Sequence, residues 1–204
     1  MKTWAAHTLA VTRRHRLFQL GLALVLLGAL LWALPGRRGG EFGHHARHAG
    51  GDVFERAGVT EFTEGQRGPA LRLARWGGGE ATLEAWRDKV VVLNFWATWC
   101  TPCTVEMPTL ESLWREQRER GLVVVAVSVD RGASAALIEP YVKSLGLTFP
   151  ILLDPDAKAA GAWRVNGIPA TFVIRPGGEV AGVAIGPRDW NSSEMKTLLE
   201  TFRR

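Results

Sequence analysis

Residues 90–103 read VVVLNFWATWCTPC and hold both of the chain's cysteines, Cys100 and Cys103. The first seven residues are almost all β-branched or aromatic, which predicts a strand buried on both faces of a sheet. A helix is expected from about Cys100 to Arg120, and Gly121 is a typical helix stop. The cysteine pair is therefore predicted to lie where a helix begins, directly after a buried strand.

This placement favours redox chemistry. A free thiol has a pKa of about 8.5 and is a poor nucleophile until it ionises. Unpaired N–H groups at a helix N-terminus favour the thiolate, so Cys100, with an exposed sulfur, is predicted to be the attacking group. Cys103 follows one turn later on the same face, where it can form a disulfide with Cys100 and release a captured client in reduced form.

A structural disulfide and half of a zinc site are the alternatives for such a pair. Zinc would need two further Cys or His ligands, and residues 60–204 contain no other cysteine and no histidine. A domain of this size also needs no disulfide to bury a core. We therefore predict a redox-active Cys100–Cys103 disulfide, with no other cofactor and no metal ion.

The remainder of residues 60–204 alternates between strand and helix patterns, followed by a hairpin and a final helix. Strands are predicted at 122–129 and 150–153, helices at 133–145, 156–163 and 191–202, and hairpins at 70–83 and 171–185. This order predicts an α/β fold, a thioredoxin-like sandwich in which helices flank a central mixed β-sheet.

The net charge of +5 belongs to the N-terminal arm. Residues 1–59 carry eight basic and three acidic residues, whereas residues 60–204 carry seventeen of each. A neutral domain lacks the electrostatic footprint that phosphate requires, so nucleic acid is excluded as a partner.

Residues 17–34 form an uncharged, mostly apolar run that predicts a single transmembrane helix, because about 27 Å of helix just crosses a bilayer core. The basic residues before it predict a cytoplasmic segment at 1–16, with everything after residue 35 outside the cytoplasmic membrane. A cleavable signal peptide is the alternative, although residues 32–35 offer no convincing cleavage site.

Residues 35–59, rich in Gly, Arg, His and Ala, are predicted to be a flexible linker. His44, His45 and His48 in this segment could hold a metal ion. A solvated linker with incidental histidines is the simpler interpretation.

The sequence Trp-Cys-x-x-Cys after residues 94–97 (NFWA) resembles the thioredoxin superfamily. The extension Cys103-x-x-Glu106-x-Pro108 resembles the TlpA/ResA-like membrane-anchored thiol–disulfide oxidoreductases, and residues 167–172 (GIPATF) resemble their cis-proline loop. The resemblance implies thiol reduction on the periplasmic side of the membrane. The implied partners are a disulfide-containing client, either apocytochrome c or a copper-site protein, and a membrane thiol carrier that donates electrons.

Further site residues follow from the resemblance and from chemistry. A cis peptide bond at Pro169 would place a tight turn beside the cysteines and offer the backbone of Ile168 to an extended substrate strand. Trp96 and Trp99 flank the motif and are expected to cover the disulfide. We therefore predict that Trp99, Ile168 and Pro169 bind substrate.

Glu106 is predicted to be the acid/base group for Cys103. Thioredoxins proper carry a buried aspartate at the position of Asn94, and an asparagine cannot transfer protons in its place. Glu106 follows Cys103 by three residues on the same helix face. Burial near the disulfide should raise the pKa of its carboxyl group.

Three other activities are weaker alternatives. A peroxidase of this fold would carry Pro and Thr or Ser where this chain has Leu93 and Ala97. A copper carrier would use a longer cysteine spacing and a distant histidine, and a disulfide-forming oxidase usually has a histidine in place of Thr101-Pro102. The predicted function is therefore protein-disulfide reduction, in cytochrome c maturation first and in copper-site assembly of a respiratory oxidase second.

Overall fold

The computed structural model describes residues 49–132 and 134–203. The predicted cytoplasmic segment, the membrane anchor at 17–34 and the three linker histidines lie outside these ranges. Residues 49–132 and 134–203 include no helix that is long and apolar enough to span a bilayer.

Eight strands form one mixed sheet in the described part of the chain. In chain order they are β1 (Thr60–Arg67), β2 (Arg72–Arg75), β3 (Glu80–Thr82), β4 (Val90–Trp96), β5 (Leu122–Ser128), β6 (Ile151–Leu153), β7 (Ala170–Ile174) and β8 (Glu179–Ile185). Their spatial order is β1-β8-β7-β4-β5-β6-β2-β3. The pairs β4–β5 and β5–β6 are parallel and the other pairs are antiparallel.

Five α-helices and three short 3₁₀ helices accompany the sheet in the same ranges. The α-helices are α1 (Ala49–Arg56), α2 (Thr101–Gln117), α3 (Ser134–Leu145), α4 (Lys158–Ala162) and α5 (Ser193–Glu200). The 3₁₀ helices are Leu83–Trp86, Arg118–Arg120 and Thr201–Arg203. The predicted thioredoxin-like α/β fold and both predicted hairpins are confirmed.

Strand β4 is buried along its whole length and divides the core into two layers. Val90, Val92 and Trp96 belong to the apolar cluster that also holds the cysteines, whereas Leu93 and Phe95 belong to the cluster on the opposite face. The alternation follows from the two-residue period of a strand. It turns Asn94 toward the face that carries α2.

The segment at 49–59 corrects the predicted linker boundary. Residues 49–56 are helical, and Phe54 and Val59 are buried. The ring of Phe54 lies 6.0 Å from that of Phe202, which follows α5. A few apolar residues suffice to fix this short helix to the domain, although the glycine-rich composition around it is typical of a linker.

Strand β1 was also not predicted from the sequence. Its residues Thr60–Arg67 are mostly exposed, and its pairing with β8 shifts in register between Glu61 and Gln66. A polar, irregular edge strand has no two-residue apolar pattern that a sequence interpretation could recognise.

Candidate active site

The two cysteines lie where α2 begins, next to the C-terminal end of β4. Cys100 is the N-cap residue of α2, and its Sγ atom accepts a hydrogen bond of 3.2 Å from the backbone N–H of Cys103. Pro102 stands in the first turn, where its missing N–H is not needed. After reduction, the same N–H group and the helix dipole would favour the thiolate form of Cys100.

Cys100 and Cys103 form a disulfide, with their Cα atoms 5.3 Å apart. The predicted exposure of Cys100 is wrong for this oxidised state, because only 5% of the residue is accessible to solvent. Cys103 is completely buried. Both belong to one apolar cluster with Trp96, against which Ile168 packs. Cys100 therefore keeps a small accessible fraction in the oxidised state, whereas Cys103 has none.

The peptide bond between Ile168 and Pro169 is cis, as predicted. Pro169 immediately precedes β7, whose first residue Ala170 pairs with Phe95 near the end of β4. This register places the cis-proline turn at the end of the central strands where the cysteine motif begins. The carbonyl oxygen of Pro169 accepts a hydrogen bond from Gly186, whereas Ile168 is half-buried at the surface of the cysteine cluster.

The two tryptophans beside the motif differ in their surroundings. Trp96 is completely buried and stacks on Tyr141, with ring centroids 4.7 Å apart. Trp99 is 69% exposed and projects into solvent, so the expectation that it covers the disulfide is not met. Trp96 is the last residue of β4 and lies in the core with Ala97, whereas Trp99 belongs to the loop that follows. An exposed indole next to Cys100 remains available to a client.

Glu106 is completely buried on α2, one turn after Cys103. Asn94 donates a hydrogen bond of 2.7 Å to its Oε1 atom, and the indole N–H of Trp190 donates one of 3.0 Å to its Oε2 atom. Removal of the carboxylate from water raises the pKa of Glu106 to about 6, while these two donors and Arg188 oppose the rise. The predicted burial and raised pKa are confirmed.

The side chain of Asn94 links three elements of the fold through hydrogen bonds. Its amide group donates to both Glu106 and Thr171 Oγ1, the latter at 2.8 Å, and so connects β4, α2 and β7 behind the cysteines. The indole of Trp190 also donates to Glu106. A lone tryptophan 84 residues away from Glu106 carries no sequence signal for this contact.

Asp130, two residues after β5, holds the chain just before Cys100. Its buried carboxylate accepts hydrogen bonds from the backbone N–H of Thr98 at 3.0 Å and from the Thr98 hydroxyl at 2.7 Å. The Ser128 hydroxyl donates a third bond of 2.7 Å. These bonds fix the loop between β4 and α2, and with it the direction from which Cys100 enters the helix.

The described residues contain no cluster of three or more His, Cys, Asp or Glu side chains able to hold a metal ion. The described residues combine three features. A Cys-x-x-Cys disulfide lies at the start of a helix, a cis-proline turn lies at the same end of the central strands, and a buried carboxyl group lies behind them. This arrangement on a thioredoxin-like sheet defines the class of thiol–disulfide oxidoreductases.

Comparison with known proteins supports the assignment to the thiol–disulfide oxidoreductases. The model of the AhpC/TSA family matches residues 65–183. The chain is 34% identical over 175 residues to the thiol–disulfide oxidoreductase ResA of Bacillus subtilis, covering 85% of this chain and 87% of that protein. It is 36% identical over 127 residues to ResA of Geobacillus kaustophilus, covering 62% and 72% of the two chains.

Among solved structures, a protein of Chlorobium tepidum described as thiol:disulfide interchange protein DsbE superposes with a TM-score of 0.63 at 24% identity, over 70% of this chain and 99% of that one. The fold is therefore shared with this protein. The chain belongs to the AhpC/TSA family of thioredoxin-like proteins and is a homologue of the ResA thiol–disulfide oxidoreductases.

Proposed function

We propose that this protein reduces disulfides of client proteins outside the cytoplasmic membrane. The observation that carries the proposal is the unequal placement of the two cysteines: Cys100 is the N-cap residue of α2 and keeps a small accessible fraction, whereas Cys103 lies in the first turn of the helix and has none. An attacking thiol must be accessible, whereas a resolving thiol needs only to reach its neighbour.

The reaction proceeds in two exchanges. The Cys100 thiolate attacks one sulfur of the client disulfide, forming a mixed disulfide and releasing the other client sulfur as a thiolate. Cys103 then loses its proton to Glu106 and attacks Cys100, which frees the second client sulfur. Two electrons pass to the client and the Cys100–Cys103 disulfide forms, so a membrane thiol carrier must return two electrons and two protons before the next cycle.

A Cys103→Ser variant tests this assignment, because it cannot resolve the mixed disulfide and should trap its client on Cys100. The matched control is Cys100→Ser, which leaves only the buried thiol and should trap nothing. Equal trapping by both variants, or by neither, would contradict the roles assigned to the two sulfurs.

The direction of reaction is proposed to be reductive, since Thr101-Pro102 contains no histidine to stabilise the thiolate further. The equilibrium of the purified protein with glutathione gives its reduction potential. A value near that of the strong oxidant DsbA, about −120 mV, would assign the protein to disulfide formation instead.

Apocytochrome c is the first candidate client, and a copper-site protein of a respiratory oxidase is the second. The support is the likeness of residues 99–108 to the membrane-anchored branch of the superfamily. Two oxidised peptides separate the candidates, one with the haem-attachment sequence Cys-x-x-Cys-His and one with a Cys-x-x-x-Cys copper motif. Faster reduction of the first supports cytochrome c maturation, and faster reduction of the second supports copper-site assembly.

The proposed location is the periplasmic face of the membrane, with the chain anchored by residues 17–34. The charge distribution around this segment supports it. A membrane-impermeant thiol reagent applied to intact cells should label the reduced cysteine pair, and labelling only after cell lysis would contradict this orientation.

A further inference from the structure

Residues 186–190, in the loop between β8 and α5, are fixed to helix α2 one to two turns beyond Cys103. The hydroxyl group of Thr109 donates a hydrogen bond of 2.8 Å to the carbonyl oxygen of Glu106 and accepts one of 3.0 Å from the backbone N–H of Trp190. The main chain of the loop is thereby held against the turn of α2 that carries Glu106.

One side chain of the loop then contacts the carboxylate oxygen that Asn94 does not. The buried indole of Trp190 donates to Glu106 Oε2 at 3.0 Å, while Asn94 donates to Oε1 at 2.7 Å. The guanidinium group of Arg188 lies 5.9 Å from the centre of the Trp190 ring and is held by the carbonyl oxygens of Ile185 and Gly58.

The groups that face Glu106 come from several elements. Arg188 contributes a positive charge and a backbone amide from the loop, Tyr141 contributes a neutral phenol from α3, and Cys103 lies on α2 itself. Within the described ranges, Arg188 is the cation that acts on this carboxylate. An indole donor and a half-buried cation both favour the ionised form of a buried acid.

We propose that Trp190 and Arg188 are positioning residues of the active site, which hold the Glu106 carboxylate in its ionised form for proton transfer from Cys103. The inference rests on the proposed acid/base role of Glu106. Its physical basis is that a buried carboxylate with one donor fewer is harder to ionise. The loop therefore sets the pH above which Cys103 attacks the mixed disulfide rapidly.

The second exchange can be isolated with the full-length reduced protein in detergent and the disulfide reagent DTNB. Cys100 attacks the reagent and releases one thionitrobenzoate, and Cys103 then attacks the resulting mixed disulfide and releases a second. Two electrons pass from the dithiol to the reagent. Stopped-flow absorbance between pH 4.5 and 9 separates the two phases, and the second phase reports the step assisted by Glu106.

Four variants are compared with the wild type. Trp190→Phe removes the indole donor but keeps an aromatic ring, and Arg188→Gln removes the charge at a half-buried position. Trp114→Phe is the matched control, because its indole N–H has no hydrogen-bond partner in the described part of the chain. Glu106→Gln removes the ionisable group.

The wild-type second phase should rise with a midpoint near pH 6, the pKa of Glu106. In Trp190→Phe the midpoint should move upward by about one to two pH units, the value of a hydrogen bond to a charged group. Arg188→Gln should show a smaller upward shift, Trp114→Phe none, and Glu106→Gln should lose the midpoint altogether.

The outcomes distinguish the acid/base role of Glu106 from the positioning roles of Trp190 and Arg188. If Glu106→Gln keeps a midpoint near pH 6, the acid/base role of Glu106 fails and the positioning roles fail with it. If Glu106→Gln loses the midpoint but Trp190→Phe and Arg188→Gln match the wild type, only the positioning roles are overturned. Should Trp190→Phe fail to fold, the Arg188→Gln profile decides the question by itself.

Discussion

The burial of Glu106 predicts a dependence of stability on pH that a single substitution can isolate. The carboxyl group has a pKa of 4.5 before burial and about 6 in the folded protein. The folded state therefore binds the proton more tightly than the unfolded state does. The stabilising contribution is complete below pH 4.5 and is lost as the pH rises through 6.

The magnitude follows from the size of the shift. Each pKa unit corresponds to about 1.4 kcal/mol, so ionisation of Glu106 costs about 2 kcal/mol of folding free energy above pH 7. Glu106→Gln removes this cost while keeping the size of the side chain. A glutamine replaces one acceptor oxygen with an NH2 group, so either Asn94 or Trp190 loses its acceptor. This loss is the same at every pH and does not contribute to the pH dependence of the difference.

The measurement is the free energy of unfolding in urea for the oxidised wild type and Glu106→Gln, followed by tryptophan fluorescence between pH 4 and 8. Other carboxyl groups, such as Glu139 and Glu194 with their lowered pKa values, titrate in both proteins and cancel in the difference. The variant should gain about 2 kcal/mol relative to the wild type between pH 4 and pH 7.5. A difference that stays constant across this range would refute the claim that Glu106 is buried with a raised pKa.

Three further predictions concern other parts of the molecule. Asp130→Ala leaves Thr98 and Ser128 without their buried acceptor and should lower the free energy of unfolding by about 2 to 3 kcal/mol; a loss near zero in urea denaturation would contradict the anchoring role. Phe54→Ala should lower the free energy of unfolding by about 3 kcal/mol, because Phe54 of helix α1 belongs to the core. An unfolding transition in urea that the substitution leaves unchanged would show that α1 does not contribute to stability. The reduced protein should consume hydrogen peroxide no faster than free glutathione does, because the residues preceding Cys100 lack the peroxidase pattern; a ferrous-oxidation assay that shows rapid consumption would favour the peroxidase alternative.

Much of the fold follows from local patterns that a sequence displays directly. The continuous apolar run of β4, the helix stop at Gly121 and the Pro-Gly-Gly turn at 176–178 each act over a few neighbouring residues, and the structure has each element in its predicted place. Strand β1 and helix α1 were missed because their stability comes from distant contacts, such as that between Phe54 and Phe202. Short polar segments carry no periodic pattern of their own.

The features of the active site likewise fall into those that local sequence predicts and those that depend on tertiary contacts. The spacing of Cys100 and Cys103 at a helix start fixes which sulfurs react, and the helix period places Glu106 on their face. By contrast, Trp190 reaches Glu106 across 84 residues of sequence, and the exposure of Trp99 and burial of Cys100 depend on how the loop after β4 packs.

The sequence alone thus determined the chemistry of this protein, because thiol reactivity depends on residue type and on the local geometry of one helical turn. The tertiary structure decided the proton affinity of the buried acid and the access to each sulfur. The sequence predicts that burial raises the pKa of Glu106, but the groups that oppose this rise, such as Trp190 and Arg188, come from distant parts of the chain that no local pattern brings to the site.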